Sequence, residues 1–195
     1  LQDQGYQRVM DALRVGSSGG AVLTADESTA FLVTIYSSHD LFWSSAALVF
    51  NTSFERIKEA LFAYLYLNRE SRANPDKYLE ASMRDPNNSS MYKDLYMAIE
   101  GYTSGLDYYD YAGKVNDLGI IGEHRKSTIS ALAGEYRAVV KSKTGPRDLF
   151  KKYDVNYIIW DADKYPEWDL SFFPNLERLV SNEGVTLYKI NWPEQ

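Results

Sequence analysis

Residues 146–190, PRDLFKKYDVNYIIWDADKYPEWDLSFFPNLERLVSNEGVTLYKI, decide the fold. They read as a helix, a buried strand, a connector and a hairpin. In Pro146–Val155, Leu149, Phe150 and Tyr153 recur at helical spacing, with Lys151 and Lys152 on the outer side. Pro146 suits a first helical turn, where its missing N–H costs nothing. Lys151 and Lys152 complement the negative end of the helix dipole. Asp154 and Asn156 then allow a turn. Tyr157, Ile158, Ile159 and Trp160 run without polar alternation, which predicts a strand covered on both faces, as in the centre of an α/β sheet. LERLVSN and GVTLYKI are alternating strands separated by Glu183 and Gly184, and Gly184 supplies a positive φ for an antiparallel hairpin.

Working back to the start, Asp3–Val15 reads as an amphipathic helix with Tyr6, Val9, Met10 and Leu13 on one face. Gly16–Gly20 breaks it; this cluster precedes a strand, whereas a phosphate-binding loop follows one, so it reads as a connector. Ala21–Thr24 is a short apolar strand. Asp26 is a candidate N-cap for a helix over Glu27–Tyr36, with Ala30, Phe31, Val33 and Thr34 expected to pack on the sheet. Leu41–Trp43 reads as a second strand, completing a parallel strand–helix–strand unit with a right-handed crossover.

The middle is helical. Ser53–Asn68 carries Phe54, Ile57, Leu61, Tyr64 and Leu65 at helical spacing, with capping candidates at Thr52 and Ser53. Pro75–Met83, Ser90–Glu100 and Thr128–Lys143 follow as helices, and Gly101–Gly113 reads as a loop rich in Tyr, Asp and Gly. The expected fold is α/β: a small mixed, Rossmann-like sheet with flanking helices, a C-terminal β-hairpin and a helical insertion. The expected organisation is one domain over 1–195, with 1–51 and 144–195 forming the sheet-containing core and 52–143 the insertion.

Composition narrows function. The chain has 195 residues, enough for a real core. Its net charge of −6 and scattered Lys and Arg give no basic face for phosphates, so no nucleic-acid partner is expected. With no cysteine and only His39 and His124, thiolate chemistry and a His-rich metal site are excluded; no metal and no cofactor is expected. No apolar run reaches the roughly 18 residues of a membrane span. The chain begins at Leu1 without an initiator Met, which suggests a fragment of a longer protein. The 16 tyrosines and four tryptophans suit surfaces near a headgroup layer or a sugar.

Chemistry-bearing candidates are few, and no catalytic motif is present. Asp26 and Glu27 follow a strand and open a helix, at the crevice edge where ligands of open α/β sheets bind; capping explains the same pair. His39 and Trp43 flank a turn and form a candidate polar, aromatic-lined site, although a His in a turn is commonly just solvated. Asp161 and Asp163, with Glu167, follow the central strand among Trp160, Tyr165 and Trp168. They are candidate acid/base groups, calcium ligands or simply a solvated loop, and the spacing matches no EF-hand. Asn51-Thr-Ser and Asn88-Ser-Ser fit the glycosylation pattern.

Three pieces, AVLTADESTAFLVTIYSSHDLFW, RDLFKKYDVNYIIWDA and NLERLVSNEGVTLYKI, in this order resemble the soluble extracytoplasmic C-terminal domain of GT-C-type polytopic membrane glycosyltransferases and their uncharacterised relatives. The resemblance covers the two ends of the chain and leaves 52–143 without a counterpart. It implies an accessory, non-catalytic domain on the extracytoplasmic face of the cell membrane. The partners it implies are the transmembrane region of the parent chain and a lipid-linked sugar or a glycan or protein acceptor. The family uses polyprenyl-phosphate-linked sugars. Its catalytic acidic residue lies in a loop near the first membrane helices, so no catalytic residue is carried over here. Two other expectations compete: a stand-alone extracytoplasmic carbohydrate- or protein-binding module, and a small soluble α/β enzyme working at the Asp26 or Asp161 edge.

Overall fold

In the computed structural model, residues 4–16, 19–49, 52–84, 91–105, 118–142 and 145–193 are described. They divide into two compact units, Leu1–Ser44 with Arg147–Gln195, and Ser45–Pro146.

The first unit is built on a five-stranded sheet: β1 (Ala21–Thr24), β2 (Asp40–Leu41), β3 (Val155–Asp161), β4 (Leu176–Asn182) and β5 (Val185–Ile190). The strand order is β2-β1-β3-β5-β4. β1 runs parallel to β2 and β3, with Val22 opposite Leu41 on one side and Tyr157 on the other. β5 pairs antiparallel with both β3 and β4. The fold is therefore α/β with a mixed sheet: a parallel core and a C-terminal hairpin. All four residues of β1 are buried, as the unbroken apolar run requires of a strand flanked on both edges.

Three helices belong to this unit: α1 (Gln4–Val15), α2 (Glu27–Tyr36) and, after the middle of the chain, α8 (Arg147–Lys152). Tyr6, Val9, Met10 and Leu13 of α1 meet Val22, Tyr157, Ile159, Val185 and Leu187 in one core cluster, joined by Val33 of α2. Each such side chain contributes about 1.5–3 kcal/mol by leaving water. Tyr157 and Ile159 share that face, so the two-residue alternation of a strand turns Ile158 to the other one. A second aromatic cluster gathers Phe150 of α8 with Phe42, Phe172 and Phe173. Gly5 lets the first turn of α1 come close to the hairpin: a Cβ there would lie 3.2 Å from the Asn182 carbonyl oxygen. The hairpin turn has φ of 47° at Glu183 and 80° at Gly184, the paired positive values of a type I′ turn, and a Cβ on Gly184 would collide with the Asp163 carboxylate.

Several sequence expectations change. The helix expected over Pro146–Val155 is only Arg147–Lys152, because Asp154 takes a positive φ of 50° and Val155 already begins β3. Phe31 does not pack on the sheet; it is 64% exposed, and Thr34 is exposed too, while Ala30 and Val33 are buried. A ten-residue helix lying on a sheet buries one stripe, and Phe31 falls outside it. The second strand is Asp40–Leu41. The Phe42 N–H still bonds the Val22 carbonyl at 2.9 Å, after which the chain leaves the sheet and buries Phe42 and Trp43.

The second unit is helical: a 3₁₀ turn (Ser45–Val49), α3 (Phe54–Leu67), α4 (Arg69–Ala73), α5 (Pro75–Arg84), α6 (Met91–Thr103) and α7 (Leu118–Lys141). Ser53 caps α3, its oxygen accepting from the Arg56 N–H. α4 has no apolar period to announce it. It forms because buried Asn68 accepts from the Glu70 and Ser71 N–H groups at 2.8 and 3.1 Å. α6 runs on to Thr103, past the start of the expected loop, and α7 begins ten residues before the expected Thr128. Ser104 and Gly105 turn the chain after α6; residues 106–113 of that loop, Asn88-Ser-Ser and Asn51 lie outside the described residues. α3 packs on α6 through rows such as Tyr64 and Tyr92, and Phe62 meets Tyr136 of α7.

Candidate functional site

Strands β1 and β3 run in the same direction, so their carboxyl ends open on one edge of the sheet. Asp26 lies two residues beyond β1 and Asp161 is the last residue of β3. The structure brings these two candidates, 135 positions apart in the chain, into one crevice of about 280 Å³. Gly5 and Tyr6 of α1, Ser28, Thr29 and Leu32 of α2, Lys164, Glu183 and Val185 complete its lining.

Asp161 is saturated with donors. One oxygen accepts the backbone N–H groups of Asp163 and Lys164 at 3.2 and 3.1 Å. The other accepts the Tyr6 hydroxyl at 2.8 Å and stands 3.3 Å from the Lys164 ammonium. Lys164 also donates to the Tyr6 oxygen at 3.0 Å and covers the Tyr6 ring face. Burial alone would raise the Asp161 pKa. The Tyr6 hydroxyl and the Lys164 donors outweigh it and hold the carboxyl below its ordinary range. Burial pushes the Tyr6 phenol up, and the hydrogen bond to Tyr6 pushes Lys164 up against its own burial, with Asp161 adding less.

Asp26 is occupied in a different way. Its side chain caps α2, accepting the Thr29 N–H at 2.8 Å and the Thr29 hydroxyl at 3.1 Å. The Tyr165 phenol is pushed up by burial first and by the Asp26 charge second. Two polar clusters therefore line the crevice, Asp26 with Thr29, and Tyr6 with Asp161 and Lys164. They leave the half-exposed Lys164 ammonium and the exposed Ser28 hydroxyl at the mouth.

The other candidates do not join it. Glu27 turns aside to accept the Ser44 hydroxyl at 2.6 Å. Asp163 contributes its backbone N–H and packs its carboxylate over Gly184. Trp168 is 1% exposed, and Trp43 3%; both are core residues. His39 precedes β2, whose first residue pairs with the first residue of β1, so it sits at the opposite, amino-terminal edge of the parallel strands, edge-on to the Tyr157 ring at 4.9 Å. Among the described residues no group of three or more His, Asp or Glu is placed to hold a metal ion, and no helix is long and apolar enough to cross a membrane.

Tyr6, Thr29 and Lys164 escape sequence reading. Tyr6 falls on the apolar stripe of α1 and reads as core. Its one signal is chemical: a tyrosine on a buried face needs a partner for its hydroxyl. No protein-family model, no curated protein and no solved structure matches this chain.

Proposed function

We propose that this chain is a non-catalytic, extracytoplasmic accessory domain of a membrane-embedded glycosyltransferase-like protein using polyprenyl-phosphate-linked sugars, and that its strand-end crevice receives a hydroxyl-rich acceptor or a partner segment. The observation that carries the non-catalytic half is the state of Asp26 and Asp161. Both carboxylates are engaged by structural donors, and the Tyr6 hydroxyl and Lys164 hold Asp161 below its ordinary range, so Asp161 is not kept protonated as a general acid. Fixed donors and acceptors at the carboxyl ends of parallel strands suit recognition. The membrane half rests on the resemblance, and it is supported by the two resembling ends of the chain meeting in one sheet unit.

The test has two parts. The reading frame upstream of the Leu1 codon is read for apolar segments of about 20 residues with an acidic residue in the first outward loop. A frame encoding several such segments supports the reading; a signal peptide alone, or a start codon at once, overturns it in favour of a stand-alone binding module. Soluble oligosaccharides are then titrated while the amides of Ser28, Thr29 and Lys164 are followed. Saturable shifts confined to the crevice are expected. Shifts absent for every glycan remove the acceptor role.

A further inference from the structure

The strand-end crevice adjoins a second cavity of about 640 Å³ between α1 and α2, and Tyr6 and Leu32 line both. On α1, Tyr6, Met10 and Arg14 recur every four residues; on α2, Ser28, Leu32 and Tyr36 do the same, so each set forms one row along its helix. Tyr6 and Ser28 line the crevice, whereas Met10, Arg14 and Tyr36 line the groove. Both rows therefore start at the crevice and lead away from it, over about 12 Å for eight residues. The groove floor is apolar: Tyr6 and Met10 are buried and Leu32 is half-buried. Tyr36, 53% exposed, stands at the far end, where Arg14 pairs with Asp11 at 3.2 Å. Exposed Phe31 and Ile35 carry the apolar surface of α2 on toward solvent. The crevice has the opposite character. Asp26, Asp161 and Glu183 line it against one ammonium, Lys164, which already stands 3.3 Å from Asp161. Three carboxylates to one cation oppose an anionic head.

We infer that crevice and groove form one site for an uncharged glycolipid. The hydroxylated head sits in the crevice, and the apolar chain runs between α1 and α2, over Met10 and Leu32 to Tyr36. This rests on the reading of the crevice as a receiver of hydroxyl-rich molecules, and adds to it an apolar chain and the exclusion of a phosphate head. The shared wall of Tyr6 and Leu32 selects a molecule with both parts, and the charge balance selects its head. The groove volume falls within the roughly 300–1,000 Å³ that small-ligand sites span.

The test titrates the full chain with the octyl and methyl β-glycosides of glucose, galactose and N-acetylglucosamine, with 1-octanol and with octyl phosphate, all below their micelle concentrations. The amides of Ser28 and Lys164 report on the crevice, and those of Met10 and Tyr36 on the groove. At least one octyl glycoside is expected to saturate both sets together, with half-saturation below about 1 mM. Its methyl counterpart is expected to bind at least about tenfold more weakly, through loss of buried CH₂ groups, and octanol and octyl phosphate to fall behind by a similar factor. Y36S, at an exposed position, is expected to keep the spectrum of the core and to lower the octyl-to-methyl affinity ratio about fivefold. Equal affinity of octyl and methyl glycosides, with the groove amides silent, overturns the inference and leaves the crevice reading standing. Saturation of the groove amides by octanol as tightly as by the glycosides, with the crevice silent, overturns both. Failure of every octyl glycoside to saturate, tighter binding of octyl phosphate, or an unchanged ratio in Y36S also overturns the inference.

Discussion

Each of the two units holds a carboxylate against a tyrosine hydroxyl and a cation, and the two constellations differ in depth. In the helical unit Glu100 is fully buried; it meets the Tyr96 hydroxyl at 3.2 Å and the Arg125 guanidinium through both carboxylate oxygens. In the sheet unit Asp161 is 8% exposed, and its cation, Lys164, is 58% exposed. The planar fork of Arg suits a buried, bidentate pairing, whereas the flexible, strongly hydrated ammonium of Lys suits a rim. The first constellation joins α6 to α7 and serves the fold. The second does comparable structural work, tying α1 to the end of β3, while leaving charge at a crevice mouth.

The largest effect expected from this contrast is R125A. It strands a wholly buried carboxylate, at a cost of about 3–5 kcal/mol, read by urea denaturation with hydrogen exchange followed in α6 and α7. A loss below 1 kcal/mol would mean that water reaches Glu100 and that the two sites are alike. F150A, which empties the centre of the Phe42–Phe172–Phe173 cluster, is expected to cost about 3–5 kcal/mol in the sheet unit. Next comes Y6F, which removes one donor from Asp161 and one acceptor from Lys164; about 1–2 kcal/mol is expected. D26A deletes the α2 cap and costs about 1 kcal/mol, visible as faster exchange in the first turn of α2. At the bottom, F31S touches only an exposed side chain and should stay within about 0.5 kcal/mol; a larger loss would show that Phe31 packs in solution.

The Asp161 site also has a pH dependence. Asp161 is lowered in the folded chain, so its charged form stabilises the fold at pH values above its unfolded pKa of about 3.9. That contribution is lost as the pH falls through the folded value. Y6F should shrink this acid-side loss, because the folded and unfolded values then lie closer together.

What could be read in the sequence follows from how local the deciding physics is. The Tyr157–Trp160 run, the Glu183-Gly184 turn and the Ser53 and Asp26 caps are all set by neighbours within a few residues, and each stands where it was expected. α4 rests on one buried asparagine instead of an apolar period, and the first turns of α7 carry Gly119 and Gly122, which lower helix propensity ahead of Thr128. The crevice was half legible. Asp26 and Asp161 stood out as strand-end carboxylates, but as separate edges. Their convergence depends on β1 lying beside β3, a pairing across more than 130 positions. Tyr6, whose hydroxyl bonds Asp161, lies on a stripe that hydrophobic periodicity assigns to core. Trp43 and Trp168 drew notice as possible ligand platforms because a tryptophan's exposure is invisible in sequence; both are buried.

The most direct measurement is a pH titration of the Asp161 side-chain carboxyl by ¹³C NMR, in the wild-type chain and in Y6F. A midpoint clearly below the ordinary aspartate value of about 3.9, moving upward in Y6F, is expected of a carboxylate locked by the Tyr6 hydroxyl and Lys164. A wild-type midpoint at or above the ordinary value, unmoved by Y6F, would contradict it and return the crevice to the candidates for acid–base chemistry.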